Sequence, residues 1–384
     1  KPFKFPPPDG FQPLNTANVR PETVISRPDQ YVGVTTYSGS TGTGTIKDDN
    51  INFTPDFVWV KDRGGTEVHA LYDTVRGSTG GNFYRLSSNS TAGNNSPTNE
   101  LTSMIRGGFT ANNNGHIYYD GKYYVSWMWK AGGNKNTFNV DDVGYATAAA
   151  AGLTGGDITP TGASVGTKQG FSIIEFTGSG SGTPSIPHGL SEAPTFIIQK
   201  DTGATTSWRV FAYDGSTWKI GNLNNTDAFV SATETAPTSS LFYANGNGNA
   251  ANTQIAYLWH DVPGLQKFGS YEGNDALDGP FVELGFRPAV LLLKNADSAG
   301  KYWVLIDAER DKHNVAFRWS RANDSAAENS TSTNNSLDIL SNGFKLRGAT
   351  DTNDATNGPS HTIVYAAWAE APSVDLYGGG ANAR

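Results

Sequence analysis

The sequence predicts an all-β chain of tandem β-sandwich modules, jelly-roll or lectin-like in type, arranged as three repeats. Three observations carry this. The segment 55–62, PDFVWVKD, has close copies at 194–201 (PTFIIQKD) and 288–295 (PAVLLLKN), with proline and lysine six residues apart each time. Short runs rich in β-branched and aromatic residues alternate with Gly, Asn, Ser and Thr turns, the pattern of sandwiches and barrels. Finally, 45 glycines accompany 37% hydrophobic, 17% charged and 11% aromatic residues. That is too aromatic and too weakly charged for a disordered chain, and low in apolar content for a compact enzyme.

Each repeat shows the same landmarks in the same order. An aromatic followed two residues later by glycine opens it: Tyr37/Gly39, Phe176/Gly178 and Tyr271/Gly273, with 18, 18 and 17 residues from aromatic to proline. The proline precedes a strand, where its missing N–H breaks no ladder. The runs FVWV, FIIQ and VLLL are nearly all apolar, which predicts central strands covered on both faces. Lys61, Lys200 and Lys294 follow and read as solvated strand-end lysines. A further strand ends at Asp73, Asp214 or Asp307; Arg76 and Arg310 follow two of these, with Thr217 at the third place. Polar stretches at 86–96 and 321–336 come next, and aromatic-rich closing strands align Trp129, Trp259 and Trp368. Tandem units of about 95–105 residues are the reading.

The resulting organisation is 1–30, the tail of an upstream module or a linker; 31–133, repeat 1; 134–169, a small-residue linker or arm; 170–264, repeat 2; 265–373, repeat 3; and 374–384, a C-terminal tail. Within the linker, 145–170 is dominated by small residues without an amphipathic helical stripe, and an ordered arm is favoured.

Composition narrows the function classes. The net charge of −8 comes without a basic stripe, against the clustered Lys and Arg of a nucleic-acid binder. No apolar run nears 18 residues, so membrane insertion is not expected. Cysteine is absent, which removes disulfides, thiolate metal sites and a Cys nucleophile.

The tests for chemistry point away from an enzyme. His69, His116, His188, His260, His313 and His361 fall in no compact ligand spacing; His69 and His260 read as hydrogen-bonded structural residues. GSTGTG (39–44) and GSGSG (178–182) lack a Walker lysine and sit at hairpin turns. NDALDG (274–279) and DTND (351–354) complete no EF-hand loop. No metal residue and no cofactor is therefore assigned, structural calcium at these loops being the one exception left open. The recurrence of Asp73, Asp214 and Asp307 suggests a contact of the fold rather than paired glycosidase carboxyls, so no catalytic residue is assigned. The aligned Trp129, Trp259 and Trp368 read as core. Trp218 and Tyr243, at non-equivalent loop positions, are the candidate ligand contacts, since aromatic faces stack on sugars.

With these landmarks assembled, 55–79 (PDFVWVKDRGGTEVHALYDTVRGST), LTSMIRGGFT and YYVSWMWKAGG resemble the repeat unit of large tail-fibre-like structural proteins of marine bacteriophages. The segments 170–201 and 268–294 are similar to the second and third units of those proteins. KPFKFPPPDGFQPLNTANV (1–19) resembles the end of an upstream SPRY, concanavalin-like domain, and DLYGGGANAR (375–384) a typical ending. The departures are Thr217 and the extra GGNF at 80–83.

The resemblance implies the C-terminal part of a longer protein, made in the host cytoplasm and carried on the virion. It implies a tail-fibre or receptor-binding appendage that displays glycan-binding or cell-binding loops. The alternatives are a capsid or tail decoration protein without receptor contact, and a polysaccharide-degrading tailspike. Partners would be other virion proteins and a host surface glycan or receptor. A homo-oligomer is expected, a trimer by analogy with phage fibres, although no heptads enforce it.

Overall fold

Twelve principal strands build three main sheets in the computed structural model, which describes residues 24–95, 100–113, 116–214, 216–232, 235–244, 246–330, 335–348, 355–373 and 380–383. They are β1 (Val32–Ser38), β2 (Phe57–Asp62), β3 (Ala70–Asp73) and β4 (Tyr123–Trp129); β5 (Phe171–Thr177), β6 (Phe196–Asp201), β7 (Arg209–Tyr213) and β8 (Thr253–Trp259); and β9 (Gln266–Glu272), β10 (Phe286–Asn295), β11 (Trp303–Asp307) and β12 (Thr362–Pro372). These strands run β1-β4-β2-β3, β5-β8-β6-β7 and β9-β12-β10-β11, all antiparallel, with further strands at the edges of the second and third sheets. One strand order thus occurs three times. Among the described residues there is no α-helix, only two 3-10 turns, Pro28–Gln30 and Gly246–Asn249.

The apolar runs of β2, β6 and β10 follow from two cores. Side chains alternate across a strand, so Phe57 and Trp59 enter a central core while Val58 and Val60 enter an outer one. Phe196 and Ile198 likewise face the centre and Ile197 the outside; Val290 and Leu292 face the centre, Leu291 and Leu293 the outside. Each outer core is closed by a smaller second sheet. In the first and third modules this has three strands, Thr43–Lys47 with Gly108–Asn112 and Leu101–Ile105, and Phe281–Glu283 with Gly343–Leu346 and Leu337–Leu340. In the second module it has two among the described residues, Ser185–Pro187 and Leu241–Tyr243.

The landmark glycines have a steric cause. A Cβ on Gly39, Gly178 or Gly273 would lie 2.0, 2.0 or 2.1 Å from the carbonyl oxygen of Tyr119, Ala250 or Gly358. Only glycine permits that approach of the backbone. The aromatic two residues earlier tucks beneath it, and the Tyr37 and Tyr271 hydroxyls donate to the carbonyls of Ile117 and Thr356.

The modules do not form a row. Their main sheets turn their inner faces to one shared core, where Trp368 packs against Trp129 and Trp259 with ring centres 5.2 and 5.8 Å apart. Three seams close the arrangement. The loop after β3 bonds to the 202–206 hairpin of the second module (Asn94 N–H to Thr202 O, 2.8 Å; Thr206 N–H to Thr91 O, 3.0 Å). The loop beyond β7 bonds to the third module (Phe229 N–H to Ala296 O, 2.7 Å; Gly300 N–H to Thr226 O, 2.8 Å). The loop beyond β11 returns to the first, where Glu328 N–H donates to Arg63 O and the Arg63 guanidinium grips Glu328 through two bonds of 2.9 and 3.0 Å.

Segment 134–169 is an ordered arm. Gly162–Gly166 lies antiparallel on β5, Phe138–Val140 runs parallel to Gly162–Gly166, and Val143–Tyr145 completes the edge. The upstream tail at 1–19, the DTND loop and most of the 374–384 tail lie outside the described residues.

Candidate functional site

The three landmark lysines are the first surprise, because they are not solvated. Lys61, Lys200 and Lys294 are 0%, 1% and 0% exposed. Each ammonium folds back to donate to the carbonyl of the next residue, Asp62, Asp201 or Asn295, at 2.7, 2.7 and 2.6 Å. Lys61 also donates to Gly65 O, and Lys200 reaches Thr91 O across the seam at 3.1 Å. Burial pushes all three down to about 8. A strand-end lysine reaches water only where the next module leaves room. Here carbonyl oxygens take the place of solvent, from the lysine's own module at Lys61 and Lys294 and also from a neighbour's loop at Lys200. The ammonium groups are therefore committed to backbone carbonyls.

Register corrects the carboxylate landmark. Asp73 stands opposite Phe57 and Asp307 opposite Val290, but the residue opposite Phe196 is Ala212, not Asp214. Asp214 lies two residues further on and caps its own turn, accepting from the Ser216 and Thr217 N–H groups. In the other two modules the aspartate forms a fully buried pair with arginine, Asp73–Arg76 at 2.5 Å and Asp307–Arg310 at 2.6 Å. Each also accepts from a neighbouring module, from Tyr257 Oη at 2.7 Å and Trp127 Nε1 at 3.1 Å. At the corresponding places on the remaining seam stand Ala212 and Ala366.

The same register aligns His69, Trp208 and Trp303, a correspondence the sequence conceals. Each backbone N–H donates to an asparagine side chain, Asn89, Asn224 or Asn323. Each ring bonds a carbonyl of another module: His69 Nε2 to Arg321, Trp208 Nε1 to Ser87 and Trp303 Nε1 to Asn222, all at 2.9 Å. His69 Nδ1 accepts from Trp59 Nε1, so Nε2 carries the proton. Burial holds the His69 ring well below the usual histidine range, and takes His188 down to about 4. Thus 87–94 and 321–328, parts of the polar stretches at 86–96 and 321–336, serve in the seams.

Among the described residues no three His, Cys, Asp or Glu side chains stand close enough to hold a metal. In the 274–279 loop, Asp278 faces Lys345 at 2.7 Å and Arg347 at 3.5 Å, a cationic setting for a would-be calcium ligand.

Trp218 and Tyr243 do not come together. Tyr243 is half-buried on the second sheet, paired with Ser185. Trp218 is half-buried in the strand beside β7, directly opposite Tyr213, with ring centres 5.7 Å apart. Tyr213 was missed as a candidate; it is 39% exposed, and Val230 on the next strand is 62% exposed.

A second surface feature lies where the first module meets the arm. Two adjoining cavities, of about 470 and 390 Å³, share Thr54, Lys130 and Asp142. Beneath the larger one, Asp56 is 2% exposed and accepts from the N–H groups of Ala131 and Gly133 and from the Thr74 hydroxyl. Burial raises its carboxyl to about 6. Lys130 pairs with Asp142 at 2.7 Å across the mouth.

No curated protein matches this chain. One family match runs through all three modules and the arm: the chain belongs to the family described as a domain of unknown function, DUF7483, which is matched over residues 27–372.

Proposed function

We propose that the chain is a structural protein of a bacteriophage particle and forms part of an appendage that contacts the host surface. The observation that carries this reading is the partly exposed aromatic pair of Tyr213 and Trp218, set on a body whose landmark lysines and Asp–Arg pairs are committed internally. Offset aromatic faces of this kind suit the C–H faces of sugars. The buried Asp–Arg pairs and lysines support a non-enzymatic role, because the recurring charged groups are already committed to one another or to backbone carbonyls. The resemblance to tail-fibre-like proteins supplies the setting and the partners: other virion proteins and a host glycan or receptor. A homo-oligomer, a trimer by analogy, remains part of the proposal and is read by light scattering of the purified chain.

Labelling of intact particles with an antibody to the chain tests the location, and binding of the purified chain to host cells tests the role. Label confined to tail appendages, with saturable cell binding, is the expected result. Uniform label over the capsid without cell binding gives the decoration role instead. Release of reducing ends from host polysaccharide gives the degrading tailspike.

A further inference from the structure

The geometry points to a binding site for carboxylated oligosaccharides in the paired cavities between the first module and the arm. This deepens the host-contact reading and rests on it for its biological setting. The two cavities fall in the size range of ligand sites, ~300–1,000 Å³, and they adjoin at Thr54, Lys130 and Asp142.

The lining has the mixture that saccharides require. Asn52 is bonded to Asp29 and Arg106, and Thr102 and Ser103 to Thr110, whereas Gln30 and Asn134 offer amides and Thr54 a hydroxyl. Such groups both donate and accept, matching sugar hydroxyls that do the same. Tyr31 and Met104 supply apolar surface for ring C–H faces. Charge sets the class of sugar. Arg106, Lys130 and Lys135 line the cavities, against one exposed carboxylate, Asp142, which Lys130 already pairs. The Asp56 carboxylate lies beneath, saturated by three donors. In a chain of net charge −8, this concentration of cations complements a carboxylated ligand. Arg106 donates one bond to Asn52 Oδ1 at 3.2 Å, and the remaining donors of its fork can hold a carboxylate.

Calorimetric titration of the purified chain with oligogalacturonate, oligoguluronate and a sialylated trisaccharide, each beside a neutral counterpart, tests the assignment. At least one carboxylated sugar should bind, with affinity falling as salt rises, and its neutral counterpart should bind at least tenfold more weakly. Because Arg106 and Lys135 are exposed, the Arg106→Ala/Lys135→Ala double variant should keep the melting temperature and lose tenfold or more in affinity. Failure of every carboxylated sugar to bind, equal binding of a neutral counterpart, or wild-type affinity in the double variant would overturn the site. Failure of the host-contact reading shows separately, as absence of the chain from the particle's appendages, and leaves these titrations unchanged.

Discussion

Asp73 accepts a 2.7 Å hydrogen bond from the Tyr257 hydroxyl, 184 residues later in the chain. The bond joins two modules through a carboxylate already paired with Arg76. Removing the acid leaves a buried guanidinium without its counter-ion, so Asp73→Ala should cost about 3–5 kcal/mol. Tyr257→Phe removes one donor of several and should cost about 1–2 kcal/mol. Urea unfolding with an unchanged m-value checks both. Equal effects would mean that the carboxylate is not held mainly by Arg76.

Trp303 and Trp368 separate packing from hydrogen bonding. Both are buried in the central core, but Trp303 Nε1 donates to Asn222 O, whereas Trp368 Nε1 has no protein acceptor. Trp303→Phe should therefore destabilise by about 1–2 kcal/mol more than Trp368→Phe, since it strands a carbonyl at the seam. Chemical denaturation of the two variants side by side gives the difference.

The buried lysines make a prediction for alkaline pH. The unfolded chain keeps a lysine proton up to its ordinary value of 10.5, while the folded chain sheds it near 8. Between those limits the unfolded state binds more protons, so stability rises with pH. Burial holds the Tyr37, Tyr72, Tyr257 and Tyr271 hydroxyls well above 10.0, so the folded state keeps protons that the unfolded chain loses, and stability falls above about pH 10. Urea midpoints measured from pH 7 to 11 should pass through a maximum at about pH 9–10, with a shallower rise in Lys200→Met.

Asp56 acts in the acid range with the opposite slope. Its folded value, about 6 against an ordinary 3.8, means that the folded state binds the extra proton between those limits. Its contribution therefore rises as pH falls from about 6 to 4. Asp56→Asn keeps an oxygen for Ala131 and Gly133, and should fold while removing that component. Midpoints at pH 4, 5 and 6 in the two proteins show whether the slopes differ.

The shared core predicts cooperative melting. Calorimetry should give one transition, because removing any module exposes the aromatic faces of the other two. Three separable transitions would contradict the closed packing.

The positions of the strands along the chain were largely legible, because proline before an apolar run and glycine under a crossing carbonyl are local demands. The lysines misled because a strand-end ammonium has the same sequence signature whether it meets water or backbone carbonyls. Asp214 misled for a different reason: a shift of two residues along a strand preserves which face each side chain occupies, so alternation could not reveal that Ala212 holds the register position. His69, Trp208 and Trp303 share a role but not a residue type. Tyr213 became visible only through its exposure and its pairing with Trp218.

The pair Ala212 and Ala366 illustrates the freedom gained by carrying three linked modules on one polypeptide. In a ring of identical subunits, every substitution is made three times at once. Here each junction has its own codons. One junction can exchange a charged anchor for small apolar residues while the other two keep theirs. The same independence lets one outer face gain an aromatic patch and another a cationic cleft, so a nearly symmetric scaffold can present unlike surfaces in different directions.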